Sequence, residues 1–190
     1  RSIPTRTTPR AAGWPEMTTW PLPVVAIIGW HNSGKTTVAT ALVRAYRRRG
    51  LRVAAIKHSR EDVELDRPGT DTSLLAEAGA EIVVISSHSR LGWLERPASE
   101  LSLAEIIARL PADIDLAIVE GYKNEALPKV EVLRAGYGHG RIQAPGPLLA
   151  VVSDDPTAAS DAPVYGRDAL EALAAHLTVE LGLPTMDASG

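Results

Sequence analysis

Gly29-Trp30-His31-Asn32-Ser33-Gly34-Lys35-Thr36 fits G-x-x-x-x-G-K-[ST] at every fixed position and directly follows an apolar run, Val24-Val25-Ala26-Ile27-Ile28. An alanine-rich stretch from Thr37 to Arg49 comes next, so buried strand, glycine loop and helix stand in the order that a P-loop requires. Glycines let the backbone wrap tightly enough to turn its N–H groups onto a phosphate chain, and the helix start adds partial positive charge behind them. Lys35 then reaches the β- and γ-phosphates, and the Thr36 hydroxyl holds Mg²⁺. The expected nucleotide-binding residues are Gly29, Trp30, His31, Asn32, Ser33, Gly34, Lys35, Thr36 and Thr37.

The remaining chain alternates short apolar runs with helical patterns. Val53-Ala54-Ala55-Ile56 reads as a second strand ending in Lys57-His58, and Ile82-Val83-Val84-Ile85 as a third, buried one. Leu116-Ala117-Ile118-Val119 is a fourth, ending in Glu120-Gly121, and Leu148 to Val152 is another core strand, ending in Ser153-Asp154-Asp155. Lys129 to Leu133 alternates as a strand with one wetter face does. Helices are expected over 72–78, capped by Thr70 or Asp71, from the capping box Ser102-Leu103-Ala104-Glu105 to Leu110, and over 167–181. Ser86 to Pro97, with Trp93 and Leu94 among polar residues, suits a hairpin or projecting arm whose aromatics make a subunit contact or a satellite of the core. The pattern is that of an α/β protein with a doubly wound, mainly parallel sheet and helices on both faces, a P-loop NTPase architecture. Residues 1–20 read as a disordered leader or remnant, 21–183 as the nucleotide-binding domain and 184–190 as a frayed tail.

In such sheets ligands sit at the carboxyl ends of strands, which carries Lys57, His58, Glu120 and Asp154 to the rim of the P-loop. Glu120 is the acid of a P-loop site: it holds magnesium directly or through water, or orients a water. Asp154 is a candidate reader of guanine, since a carboxylate accepts both N1–H and N2–H₂, although the N-K-x-D pattern is missing. The charged, turn-rich residues 60–70 form a loop that covers a ligand or is simply solvated. Arg44, Arg47, Arg48 and Arg49 suit the negative end of their helix. A net charge of -3 gives no footprint for nucleic acid, and no apolar run approaches the ~18 residues of a membrane span. With no cysteine, the chain suits a reducing, cytoplasmic setting. The five histidines match no zinc spacing.

Taken together, G-W-H-N-S-G-K-T-T, A-I-K-H-S, D-R-P-G-T-D-T, A-G-A, D-L-A-I-V-E-G-Y-K and P-K-V-E-V-L-R resemble the MobB family, the adapter proteins of molybdopterin-guanine dinucleotide biosynthesis, over about residues 22–181. The resemblance implies a P-loop protein that prefers GTP with Mg²⁺, hydrolyses it slowly at most and is usually a homodimer. It assists the molybdenum cofactor guanylyltransferase that joins GMP to molybdopterin, with room for handover of a pterin phosphate. Position by position, Lys57-His58 match the family's K-H, Asp66 and Asp71 the acids of D-x-P-G-x-D, and Glu120 the acid at the strand tip. Thr36, Asp66, Asp71 and Glu120 are then the magnesium candidates, and Lys35 and Glu120 the catalytic ones. Arg60-Glu61-Asp62 replaces the histidine-rich continuation common after K-H. A wider resemblance to ATP-dependent ligases such as dethiobiotin synthetase supplies the alternative, a small-molecule kinase or carboxylate ligase in which Lys57 and His58 position the acceptor.

Overall fold

The computed structural model describes residues 20–59, 63, 66–136, 140–155, 158 and 160–184. The expected leader apart from Trp20, most of residues 60–65 of the expected 60–70 loop and most of the C-terminal tail lie outside these residues. The chain forms two compact units, one of residues 1–58 and 107–190 and one of residues 59–106.

The first unit is built on a six-stranded sheet of β1 (Val24–Ile28), β2 (Val53–Lys57), β5 (Leu116–Glu120), β6 (Lys129–Val132), β7 (Leu148–Val152) and β8 (Val164–Tyr165), in the order β2-β5-β1-β6-β7-β8. Every pairing in it is parallel. Parallel strands are covered on both faces, which is why Val24-Val25-Ala26-Ile27-Ile28 is apolar without alternation and buried throughout. Helices α1 (Lys35–Arg48) and α4 (Leu170–Glu180) pack together against the face that presents Val25, Ile27, Val130 and Val132. In α1 the buried residues are Val38, Leu42, Ala45 and Tyr46, one stripe at helical spacing. Each buried Val or Leu there contributes roughly 1.5–3 kcal/mol. The Tyr46 hydroxyl donates to the Ala174 carbonyl at 3.1 Å, and burial pushes its pKa up to about 12. Gly50, at φ 79°, closes α1 in the left-handed conformation that a side chain would resist.

Register fixes the rim. Lys57 is level with Glu120 across β2–β5, and Ile27 with Glu120 across β1–β5. The tips of β2, β5 and β1 therefore converge where the loop after β1 begins.

In the second unit, α2 (Asp71–Glu77) is capped by Thr70, whose side chain accepts from the Ser73 N–H, and Gly79 follows it at φ 104°. β3 (Ile82–Ser86) and β4 (Leu91–Glu95) make an antiparallel hairpin. The capping box is formed: the Ser102 N–H donates to Glu105 at 2.8 Å and the Glu105 N–H returns to the Ser102 hydroxyl at 3.3 Å. It opens α3 (Leu103–Ala108).

Three expectations are corrected. Ile82–Ile85 is not a buried strand of the main sheet: only Val83 is buried, because among the described residues β3 pairs with β4 alone and packs against α2. Nor has β6 a wet face. Lys129 and Glu131 are 1% and 0% exposed, since β6 lies between β1 and β7 and chain segments cover its polar side. The Lys129 ammonium donates to the carbonyls of Glu125, Leu127 and Pro145, and the Glu131 carboxylate accepts from the Arg141 guanidinium and the Ile142 N–H. The helix expected from Arg167 begins instead at Leu170, which leaves Arg167 on the approach to it.

Candidate functional site

The loop from Gly29 to Gly34 owes its shape to three left-handed residues. Gly29 and Gly34 have φ of 157° and 96°, and Asn32, at 57°, is of the type that tolerates this region. The Ser33 N–H donates to the Trp30 carbonyl at 3.2 Å, closing the turn. A Cβ on Gly29 would collide with the Ser33 hydroxyl and the Val132 carbonyl, and one on Gly34 with the Arg167 guanidinium. Gly34 caps α1 without a side-chain hydrogen bond, and the first turn of α1 holds no acid. The positive end of the helix is thus left for an external anion. The Ser33 hydroxyl is buried without a partner among the described residues.

Around this cradle the predicted groups assemble in part. The Thr36 hydroxyl donates to Glu120 Oε2 at 2.8 Å, and Lys57 Nζ lies 3.4 Å from Glu120 Oε1. Glu120 is largely buried whereas Lys57 is exposed, so the lysine is the mobile partner of that pair. Lys35 Nζ donates to the Trp30 carbonyl at 2.7 Å, within its own loop. Burial holds the Lys35 ammonium below the ordinary lysine range, opposed by the charge of Glu120 and reinforced by that of Lys57. His58 packs its ring against Tyr122 at 4.7 Å, where a Cβ on Gly121 would crowd it. Tyr122 itself has φ 49°, so the turn after Glu120 is two successive left-handed residues. Trp30 donates its indole N–H to the Gly140 carbonyl at 2.8 Å, beneath the ammonium of Lys123. His31, Asn32 and Thr37 are exposed.

Asp66 and Asp71 belong to the second unit. Asp66 Oδ1 accepts from the Arg67 N–H at 2.8 Å and the Thr70 hydroxyl at 3.1 Å. Hydrogen bonds from Thr72 first, then from Arg67 and Thr70, hold its carboxyl below the usual range. Asp71 opens α2. Among the described residues, no three His, Asp or Glu side chains form a metal-binding group. Within the first unit, Thr36 and Glu120 of the expected magnesium set stand in hydrogen-bond contact.

Asp154 Oδ1 accepts the Ala135 N–H at 2.6 Å, and its Oδ2 lies 3.5 Å from Arg167 Nε. The Ala135 hydrogen bond is the main cause of its lowered pKa, with the charges of Arg167 and Arg134 adding to it. One acceptor site of Oδ1 is thus taken up by the chain itself, and Oδ2 faces the Arg167 guanidinium. Two residues absent from the expected set touch the loop: Arg134 donates to the Asn32 carbonyl at 3.2 Å and Arg167 to the Ser33 carbonyl at 2.8 Å. Arg134 was within reach of strand-end reasoning, because it follows β6 at the same rim. Nothing in the sequence marks Arg167. A separate cleft of about 430 Å³, lined by Lys129, Arg141, Gln143 and Asp161, shares no residue with the loop.

The family model for MobB, "Molybdopterin guanine dinucleotide synthesis protein B", matches residues 24–154. The molybdopterin-guanine dinucleotide biosynthesis adapter protein of Escherichia coli (strain K12) is 35% identical over 140 residues, 71% of this chain and 80% of that protein. The protein of the same name from Haemophilus influenzae is 32% identical over 110 residues, 57% of this chain and 62% of the relative. The crystal structure of a MobB homolog from Bacillus stearothermophilus superposes with a TM-score of 0.62 at 26% identity, covering 84% of this chain and 97% of the other. With the match running from the first strand of the sheet through the acid that follows β7, the chain belongs to the MobB family.

Proposed function

We propose that this chain binds Mg-GTP in the loop after β1 and serves, as a homodimer in the cytoplasm, as an adapter in molybdopterin-guanine dinucleotide biosynthesis, assisting the guanylyltransferase that joins GMP to molybdopterin. The observation that carries the nucleotide reading is the Thr36–Glu120 hydrogen bond of 2.8 Å beside Lys35, at the uncapped start of α1. A hydroxyl and a carboxylate are the hard oxygen donors that Mg²⁺ takes, and the glycine-lined loop and the Ser33 hydroxyl, which has no partner among the described residues, suit a phosphate chain. The residues present therefore fit both groups. Thr36 and Glu120 would hold the magnesium, directly or through water. When bound, magnesium would supply positive charge that offsets the charge developing on the phosphates.

The protein's own part is to bind and orient. Lys35 exchanges the Trp30 carbonyl for phosphate oxygen, a stronger acceptor for an ammonium. Lys57 keeps the second oxygen of Glu120 compensated before a cation arrives. Arg134 and Arg167 hold loop carbonyls, so neither is placed to stabilise charge on a γ-phosphate, and hydrolysis is slow. The homodimer has support in the second unit: Ile82, Val84, Leu91 and Trp93 share one face of the β3–β4 hairpin and are 45%, 47%, 69% and 59% exposed. An isolated two-stranded sheet is marginal alone, and a second copy is the occupant proposed for that face.

Calorimetric titration of the wild type and Lys35→Ala with Mg-GTP and Mg-ATP tests the reading. Wild type gives heat with GTP in preference to ATP; Lys35→Ala melts like wild type and binds at least about tenfold more weakly, as the loss of one charge-assisted hydrogen bond predicts. Absence of heat with either nucleotide ends the proposal. Turnover within the ~1–100 s⁻¹ of kinases would favour an enzyme over an adapter.

A further inference from the structure

Arg167 occupies an unusual place. It stands three residues before α4, outside the residues that the family model matches, yet its guanidinium reaches the P-loop. Nη2 donates to the Ser33 carbonyl at 2.8 Å and to the Leu133 carbonyl at 2.9 Å. Nη1 fills the space that a side chain on Gly34 would take. Nε, buried and without a hydrogen-bond partner among the described residues, faces Asp154 Oδ2 at 3.5 Å, while Asp154 Oδ1 is anchored to the Ala135 N–H. One planar cation thus ties together the loop after β1, the end of β6 and the end of β7.

We infer that Arg167 is a positioning residue for phosphate binding, which sets the orientation of the Ser33–Gly34 peptide, and that Asp154 is its anchor. The physical reason lies in the peptide plane. The chain has no cis bond among the described residues, and in a trans peptide C=O and N–H point in opposite directions. Drawing the Ser33 carbonyl onto the guanidinium therefore presents the Gly34 N–H on the side away from Arg167. The same hydrogen bond keeps a carbonyl dipole from turning toward an incoming phosphate. Gly34, at φ 96°, has no Cβ to hold this plane by contact with its surroundings, so the constraint must come from outside the loop. A lysine would not replace the arginine, because a single ammonium lacks the fixed fork that spans two carbonyls while facing a carboxylate.

The inference deepens the Mg-GTP reading and rests on it only for its consequence, so the experiment has two arms. In the nucleotide-free protein, labelled with ¹⁵N-glycine, Arg167→Ala and Arg167→Lys are expected to shift the Gly34 amide resonance and speed its hydrogen exchange by on the order of tenfold. Asp154→Asn, which keeps an acceptor for Ala135 but loses the charge facing Nε, moves the same resonance by less. In the second arm both Arg167 variants keep the wild-type melting temperature and bind Mg-GTP about tenfold more weakly. An unmoved Gly34 resonance overturns the inference, and so does a loss of affinity matched by a global loss of stability. If the wild type binds no nucleotide, the Mg-GTP reading falls, and the Gly34 amide alone decides whether Arg167 positions the loop.

Discussion

Strand β6 carries Lys129 and Glu131 and is buried along its whole length, whereas β3 carries Ile82, Val83, Val84 and Ile85 and buries Val83 alone. The difference follows from neighbours. β6 is hydrogen-bonded to β1 on one side and β7 on the other, so any side chain it carries is enclosed and every polar atom must find a partner. β3 has β4 alone, and a two-stranded ribbon with α2 against it leaves one apolar face in solvent. Place in the sheet, more than residue type, decides burial. Residue type then decides whether that burial is satisfied by fixed partners, as in β6, or left for a partner to supply, as in β3.

The largest effect is expected at Glu131. Glu131→Ala leaves the Arg141 guanidinium and the Ile142 N–H without their acceptor, and the loss of stability in urea unfolding is expected to be on the order of 3 kcal/mol. A loss under about 1 kcal/mol would mean that the neighbouring cleft lets water replace the carboxylate. Lys129 sharpens the same point through pH. Burial pulls its pKa down to about 8, against an unfolded value of ~10.4, so between these limits the unfolded chain holds the extra proton. Stability from this group rises with pH above 8, by at most about 1.4 kcal/mol per unit. Above pH 10 the raised pKa of Tyr46 acts the other way, which makes pH 8–10 the window to measure. Lys129→Met should flatten the slope there; an unchanged slope would place the proton elsewhere. The smallest effect belongs to β3: Val84→Thr, on the exposed face, should change the stability of the monomer by no more than about 0.5 kcal/mol. A larger loss that vanishes on dilution, followed by sedimentation, would show a second copy covering the face.

Much of the architecture was legible because parallel strands announce themselves. Val24–Ile28, Leu116–Val119 and Leu148–Val152 are unbroken apolar runs, and the glycines after the first of them permit one loop geometry. Glu120 was legible for the same reason, as an acid at the tip of such a run. What escaped was set by pairing between distant segments. Whether I-V-V-I joins a six-stranded sheet or a hairpin, and whether a lysine on an alternating strand meets water or three carbonyls, depends on which neighbours fold beside it. Arg167 escaped for a further reason: its effect runs through the backbone of another segment, and no spacing rule connects residues 33 and 167.

The strand order has a consequence for synthesis. β1, which leads into the phosphate loop, pairs with β5 and β6 and not with β2. β1 is made before both of its neighbours and therefore waits, five apolar residues with both edges open, until Leu116–Glu120 has been made. Nascent chains arrested before that point expose a sticky segment that a chaperone must shelter, and fragments ending there should aggregate rather than fold.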